Sequence, residues 1–167
     1  MTAADEPSLS DLLEQFAPAS VLAAGAAADE LAQTYCRDHP HCQATVLSPE
    51  ELTAQVDRLG RFDLALISHT LEYLDRDAAA RLIARLRDVH ARRLIVILPM
   101  GPDWEGHKSH WHKNSMLAYG FVHVGGRTHE GREVHFYAFD IDTYKTTPDW
   151  LNARYWANPE LFDKYWW

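Results

Sequence analysis

The chain has 167 residues, of which 47% are hydrophobic and 24% are charged, a composition typical of a globular domain with a sizeable core. No apolar run approaches the roughly 18–20 residues that span a bilayer, and the acidic N-terminus lacks a basic, apolar signal pattern. These features predict one domain over residues 1–167, in the cytoplasm and away from membranes. The formal net charge of −8 argues against a broad nucleic-acid surface, which favours a basic face.

The first half of the chain alternates predicted helices with buried strands. A serine-capped helix around Leu12 precedes a strand over 20–25, an alanine-rich helix over 27–36 and a second strand over 44–47. The run Ser48-Pro49-Glu50-Glu51 opens the next helix, because serine caps it, proline suits its first position and glutamate completes a capping box. Gly60 is predicted to end that helix, and an apolar strand follows over 62–68.

The second half continues this alternation and then changes its pattern. A helix over 78–89, capped by Asp75 or Asp77, leads to a strand over 93–98 that is apolar at nearly every position. A polar loop and a helix over 109–119 follow. Strands over 121–126 and 133–139, joined by a polar link over 127–132, predict an antiparallel hairpin. The whole order predicts a mostly parallel sheet that is covered on both faces and ends in this hairpin.

The stretch Phe62 to Leu74, FDLALISHTLEYL, resembles the fourth-strand motif "FDxxxxxxxLEHL" of class I (Rossmann-like) methyltransferases that use S-adenosylmethionine (SAM). Tyr73 stands where that motif usually has histidine. Residues 86–99 resemble the helix and strand that follow in the family, and Leu117 to Phe121 resembles its "LxxxGF" segment. The resemblance covers roughly residues 20–140. It implies a three-layer α/β/α Rossmann-like fold with the sheet order 3-2-1-4-5-7-6.

This sequence is too short between its second and third predicted strands to contain one strand of that order. Only about 13 residues separate the helix start at Pro49 from the strand at Phe62, whereas a further helix, strand and helix would need more. We therefore expect the third, edge strand and its helix to be missing. The resulting truncated core spans about residues 19–140, followed by an aromatic tail over 141–167.

The loop that holds SAM in the resembled family is eroded here. Active members carry "VLDxGxGxG", and this chain has Val21-Leu22-Ala23-Ala24-Gly25-Ala26-Ala27-Ala28-Asp29. Gly25 keeps the first glycine, but Ala23, Ala27 and Asp29 replace the acid and the other two glycines. An alanine forced to positive φ costs on the order of 1–2 kcal/mol, and its Cβ occupies ligand space.

The second strand shows a similar loss. Family members often end this strand with an acid that binds the ribose hydroxyls, whereas Ser48 lies at that point and Glu50 is the next carboxylate. Losing a charged hydrogen bond costs roughly 1.5–3 kcal/mol, or about ten- to a hundred-fold in affinity. The resemblance implies Gly25, Ser48 and Ser68, with Glu50 as a substitute acid, as the residues that would hold SAM if it binds.

Histidines are the candidate bases, because their pKa lies near neutrality and the pocket of an open α/β sheet lies beyond the carboxyl ends of its strands. His69 follows the strand over 62–68, and His107 lies in the loop after the strand over 93–98. The alternative is that these are ordinary surface histidines.

Two clusters could instead bind a metal. His107, His110 and His112 could supply three imidazoles to zinc, although residues two apart do not share a helix face. The second cluster comprises Cys36, His39, His41 and Cys42. It is too short to wrap an ion easily and is better explained by a turn between helix and strand. Two cysteines do not form a secreted disulfide framework either.

The tail is rich in aromatic side chains, which bury large areas and are usually covered. They are Tyr144, Trp150, Tyr155, Trp156, Phe162, Tyr165, Trp166 and Trp167. The tail could cover its own domain, or form a homodimer or protein-partner contact. Base stacking is disfavoured because basic residues are sparse there.

Three hypotheses of function follow. The leading one is a non-catalytic binding or interaction module with weakened or absent SAM binding. The first alternative is an active SAM-dependent methyltransferase acting on a small molecule, with His69 or His107 as base. The second is a metal-dependent activity at His107, His110 and His112. SAM is the one cofactor that the resemblance implies.

Overall fold

The computed structural model describes residues 8–144, which form one α/β unit. The strands are β1 (Ser20–Ala24), β2 (Gln43–Leu47), β3 (Phe62–Ser68), β4 (Ala91–Pro99), β5 (Val122–His129) and β6 (Arg132–Asp140). The α-helices are α1 (Leu9–Phe16), α2 (Ala26–Asp38), α3 (Pro49–Gln55), α4 (Arg76–Arg85), α5 (Lys113–Ala118) and α6 (Ile141–Tyr144). No helix in this part of the chain is long and apolar enough to cross a membrane.

The six strands form one sheet in the order β2-β1-β3-β4-β6-β5. β2, β1, β3 and β4 run parallel, and the hairpin of β5 and β6 adds antiparallel to β4. The predicted mostly parallel sheet with a C-terminal hairpin is therefore confirmed. Compared with the order 3-2-1-4-5-7-6, the third strand is the one that is missing, and no described strand pairs with the outer edge of β2.

Alternate residues of the strands supply the cores on the two faces of the sheet. Leu22, Ala65 and Val96 face a cluster that includes side chains of α3, α4 and α5. Their neighbours along the strands, such as Val21 and Leu64, face a second cluster with α1 and α2. This alternation has the period of two expected of strands, and it produces the three predicted layers.

Several predicted boundaries were wrong. The helix expected over 109–119 is only α5, because Ser109 and Trp111 are buried in the preceding loop and His112 is the cap residue of α5. The hairpin is longer than predicted, since residues 127–132 belong mainly to its strands and the turn is Glu130-Gly131 at φ of 50° and 76°. Their polar character, which suggested a link, reflects hairpin arms that are exposed to solvent.

The helices before and after β3 also differ in length from the prediction. The helix opened by Ser48 ends at Gln55 and continues as a 3-10 turn through Arg58, rather than reaching Gly60. Asp75, not Asp77, caps α4, because its side chain accepts the Ala78 N–H. α4 ends at Arg85, and the chain continues through a π turn into β4.

The aromatic tail is described only at its start. This start is the short helix α6, and Tyr144 packs against Phe139 with ring centroids 4.9 Å apart. The predictions for the remaining aromatic residues of the tail lie outside the described residues. These are Trp150, Tyr155, Trp156, Phe162, Tyr165, Trp166 and Trp167.

Candidate functional site

A cavity of about 490 Å³ lies over the carboxyl end of the parallel strands. It is lined by α2 (Ala26, Ala27, Glu30), the segment after β3 (His69, Glu72, Tyr73), β4 (Ile97, Pro99), the next loop (Trp104, Glu105, His107) and the hairpin (Arg127, His129, Glu130, Arg132, Val134). Its volume falls within the range of small-molecule sites. Its place is the one where open α/β sheets bind their ligands.

Gly25 joins β1 to α2 beside this cavity and is fixed there by backbone packing. Its φ is 94°, and an added Cβ would lie 1.9 Å from the carbonyl oxygen of Ser68. A side chain at this position would therefore meet both an unfavourable backbone conformation and the backbone of β3. Glycine is required here by the fold, whether or not a ligand binds.

Ser68, a predicted cofactor-binding residue, is 1% exposed at the end of β3. Its hydroxyl accepts the Ala28 N–H at 3.0 Å and so satisfies a free amide at the start of α2. The Ser68 side chain thus links the end of β3 to the start of α2 through this hydrogen bond. The Ser68 residue is not among those that line the cavity.

We expect Ser68→Ala to lower the free energy of unfolding by about 1–2 kcal/mol, because a buried amide loses its acceptor. Urea unfolding measures this change. Ser10→Ala, at an exposed position of α1, is the control and should change stability little. An unchanged stability of Ser68→Ala would show that the bond to Ala28 contributes nothing.

Ser48 and Glu50, the candidates for ribose binding, do not line the cavity. Ser48 instead forms the capping box of α3 with Glu51, which accepts the Ser48 N–H and donates its own N–H to the Ser48 hydroxyl. Glu50 is exposed. These two of the expected donor-side residues are therefore not part of the cavity wall.

Glu72, which belongs to the LEYL motif but was assigned no role from the sequence, lies on the cavity wall. It is only 1% exposed, and no ion pair reaches it from residues 8–144. Its carboxylate accepts the Thr70 N–H at 3.2 Å. Burial raises the pKa of Glu72 to about 7. A carboxyl group that gains or loses its proton near neutral pH can act as a hydrogen-bond donor or as a base.

The backbone of Glu72 also holds the loop between β4 and α5. Its carbonyl oxygen accepts the N–H groups of Lys108 and Ser109 at 2.8 and 3.2 Å. The Ser109 hydroxyl donates to the carbonyl of Leu71, and the indole of Trp111 donates to that hydroxyl. The one sequence signal for this role was an acidic residue in a run of apolar ones, LEYL.

His69 lies on the cavity wall, is exposed, and has a φ of 47°. A histidine in the left-handed region is uncommon, and such conformations concentrate at functional sites. The turn after β3 thereby presents the imidazole at the carboxyl edge of the sheet.

His107 lies on the same wall within a group of aromatic side chains. Its ring stacks on Trp104 with centroids 5.5 Å apart, and it meets Tyr73 edge-on at 5.2 Å. Burial is the main cause that lowers the pKa of His107, and the charges of His110 and Arg132 add to it. Burial therefore favours the neutral form of His107, in which an imidazole accepts a proton.

The metal candidates do not converge. Between residues 8 and 144, no three His, Cys, Asp or Glu side chains are grouped so that they could hold an ion. His107 and His110 have ring centroids 6.3 Å apart, while His112 faces a different cleft beside α5. The segment from Cys36 to Cys42 is the predicted turn, in which α2 ends at Asp38 and β2 begins at Gln43.

Comparison with known sequences identifies a family. Residues 3–167 match the family of unknown function DUF6231. The chain belongs to this family. A search of curated protein sequences gave no match. Family membership therefore assigns no activity.

Solved structures give the fold of this DUF6231 chain. It is similar to magnesium protoporphyrin IX methyltransferase (ChlM) from Synechocystis PCC 6803 with bound SAH, at 15% identity and a TM-score of 0.51, over 78% of each chain. It also resembles 1,6-didemethyltoxoflavin-N1-methyltransferase from Burkholderia thailandensis, at 17% identity and a TM-score of 0.52, over 78% of this chain and 76% of that one.

A third similar structure, TehB from Haemophilus influenzae, gives a TM-score of 0.51 at 10% identity over 77% of this chain. The DUF6231 chain spans 59% of TehB and 49% of the pyocyanin biosynthetic protein PhzM. The three likenesses with TM-scores of 0.51 and 0.52 show a class I methyltransferase-like fold, as the sequence motifs predicted. At such low identities they carry no assignment of activity or substrate.

Proposed function

We propose that this DUF6231 domain binds a small molecule without methylating it, in a pocket derived from a methyltransferase whose SAM site is weakened or absent. The observation that carries the proposal is the extent of the cavity. It is open and about 490 Å³ in volume, but it does not include Ser48 or Glu50 at the end of β2. The absence of the end of β2 from the cavity wall supports a pocket that has lost the part expected to hold the nucleoside of SAM.

Two features of α2 weaken the donor side further. Ala27 stands at a glycine position of the resembled loop and, together with Ala26, places a methyl group on the cavity wall. Glu30 adds a carboxylate to the same wall, which opposes the carboxylate of SAM. Asp29 has a buried carboxylate oxygen that accepts no hydrogen bond from residues 8–144, and desolvation raises the pKa of Asp29. An anion is therefore disfavoured near this helix start.

The opposite side of the cavity has the character of a binding site. The stacked rings of Trp104 and His107, with Tyr73, form an aromatic wall suited to a flat ligand. Glu72 supplies a buried carboxyl group, and Arg132 covers Trp104 at 5.1 Å from its ring centre. A few polar groups within an aromatic pocket are typical of small-molecule sites.

A SAM-dependent methyltransferase is the second candidate, because His69 and the neutral His107 share the cavity wall. In that reaction the acceptor oxygen or nitrogen would attack the methyl carbon and break its bond to the sulfonium sulfur. The acceptor's proton would pass to an imidazole nitrogen, leaving S-adenosylhomocysteine. A metal-dependent activity has no assembled ligand set in the described residues.

The test of the proposed pocket uses ligand-observed NMR with a panel of soluble heteroaromatic fragments. Ala27→Trp should fill the cavity, whereas Ala54→Trp, on the exposed side of α3, is the matched control. We expect fragments to bind the wild type and the Ala54→Trp variant and to lose binding in Ala27→Trp. Binding that survives in Ala27→Trp, or no binding to the wild type at millimolar fragment, would contradict the proposal.

A further inference from the structure

Cys36 and Cys42 lie in contact with each other, and neither residue has been assigned a role above. Cys36 is in the last turns of α2, Cys42 directly precedes β2, and their Sγ atoms are 2.7 Å apart. The turn between them is held by backbone hydrogen bonds, in which the His39 N–H donates to Tyr35 and the Cys42 N–H donates to His39. The fold therefore keeps two thiols in reach of each other.

The two thiols differ in their access to solvent. Cys36 is half-buried, whereas Cys42 is only 6% exposed. A small reagent reaches Cys36 first, and Cys42 is then placed to attack whatever is joined to Cys36. Burial and the neighbouring Cys36 raise the pKa of Cys42 to about 12, so Cys42 stays a thiol in the resting state. This asymmetry matches an attacking thiol and a resolving thiol.

We propose that Cys36 and Cys42 form a reversible intramolecular disulfide by exchange with a low-molecular-weight disulfide such as glutathione disulfide. The Cys36 thiolate attacks one sulfur of the reagent, whose S–S bond breaks and releases one thiolate. Cys42 then loses its proton, attacks Cys36 Sγ and releases the second thiolate. The two protein thiols are oxidised by two electrons, and the reagent is reduced to two thiols.

The disulfide would tie the C-terminal end of α2 to the edge strand β2. It would act on the same helix whose first residues, Ala26 and Ala27, line the cavity. Closing this short loop should raise the melting temperature by about 4–8 °C relative to the reduced protein. The inference does not depend on the proposed ligand site, and its test involves no ligand.

The experiment treats the folded protein with glutathione disulfide, quenches with acid, blocks free thiols with N-ethylmaleimide and maps tryptic peptides by mass spectrometry. Trypsin cleaves after Arg37, which lies between the cysteines, and after Arg58. We expect peptides 1–37 and 38–58 to appear as one cross-linked species without maleimide, and dithiothreitol to separate them. Two maleimide-blocked peptides, or stable glutathione adducts on both cysteines, would overturn the proposal.

Two variants check the assigned order of attack. Cys42→Ser should stop at a mixed disulfide with glutathione on Cys36, because the resolving thiol is missing. Cys36→Ser should react at least tenfold more slowly than Cys42→Ser, because Cys42 is buried. Equal reaction rates of the two variants would contradict Cys36 as the attacking thiol. A cross-link between two chains, seen on a non-reducing gel, would contradict an intramolecular bond.

Discussion

Replacing Gly25 with alanine should lower the free energy of unfolding by about 3 kcal/mol or more, enough to unfold much of a marginal protein. The new Cβ would lie 1.9 Å from the Ser68 carbonyl oxygen, on a backbone at φ 94°. Relief would require β3 and the start of α2 to move apart, which would also break the bond from Ala28 to the Ser68 hydroxyl. Urea unfolding and thermal melting measure the effect.

Gly60→Ala is the matched control for this substitution. In the part of the chain that the structure describes, no atom lies within 4 Å of a Cβ added at Gly60, so alanine should be tolerated there or even stabilise the chain slightly. If Gly25→Ala has the same free energy of unfolding as Gly60→Ala, then β3 does not approach Gly25 as closely as described. If it is strongly destabilised in the absence of ligand, the one surviving glycine of the donor loop is explained by the fold alone.

Glu72→Gln should become more stable relative to the wild type as the pH rises. The free energy of unfolding of the variant minus that of the wild type should be about 3 kcal/mol larger at pH 8 than at pH 4. Burial raises the pKa of Glu72 from 4.5 to about 7 in the folded chain. Between pH 4.5 and about pH 7, Glu72 keeps its proton in the folded state and releases it in the unfolded state. The free energy of unfolding of the wild type therefore falls as the pH rises through this range, and above about pH 7 the buried carboxylate destabilises the fold in full. Glutamine stays neutral and still accepts the Thr70 N–H.

The measurement is urea unfolding of both proteins between pH 4 and pH 8, compared as a difference so that shared titrations cancel. Glu105→Gln, an exposed carboxyl on the same cavity, is the control and should follow the wild type. A difference between wild type and Glu72→Gln that is independent of pH would show that Glu72 is solvated or paired in the folded protein.

Much of the fold could be predicted because local patterns agree with the global one. The strand from Phe62 to Ser68 was predicted at its observed bounds. A short apolar run between a turn and a polar segment leaves few alternatives for where the strand begins and ends. The missing edge strand followed from chain length. The hairpin strands were cut short in the prediction, because their arms past Gly126 are polar and exposed and so resemble a loop.

The candidate site was harder to predict, because it depends on which side chains the fold buries. His69 and His107 follow neighbouring strands, and their placement on one cavity wall follows from topology. Ser48 was assigned by position alone, and its use as a helix cap shows that its hydroxyl already has a local partner. Glu72 could not be singled out, because its place in the apolar run LEYL does not by itself show that its carboxyl group is buried.

Isothermal titration of the folded protein with SAM and with S-adenosylhomocysteine measures whether the donor site is weakened or lost. We expect, for both ligands, a dissociation constant weaker than about 50 µM, or no heat up to about 1 mM. The melting transition of the same sample verifies that the protein is folded. A dissociation constant below about 50 µM for either ligand would contradict the claim that the donor site is weakened or lost.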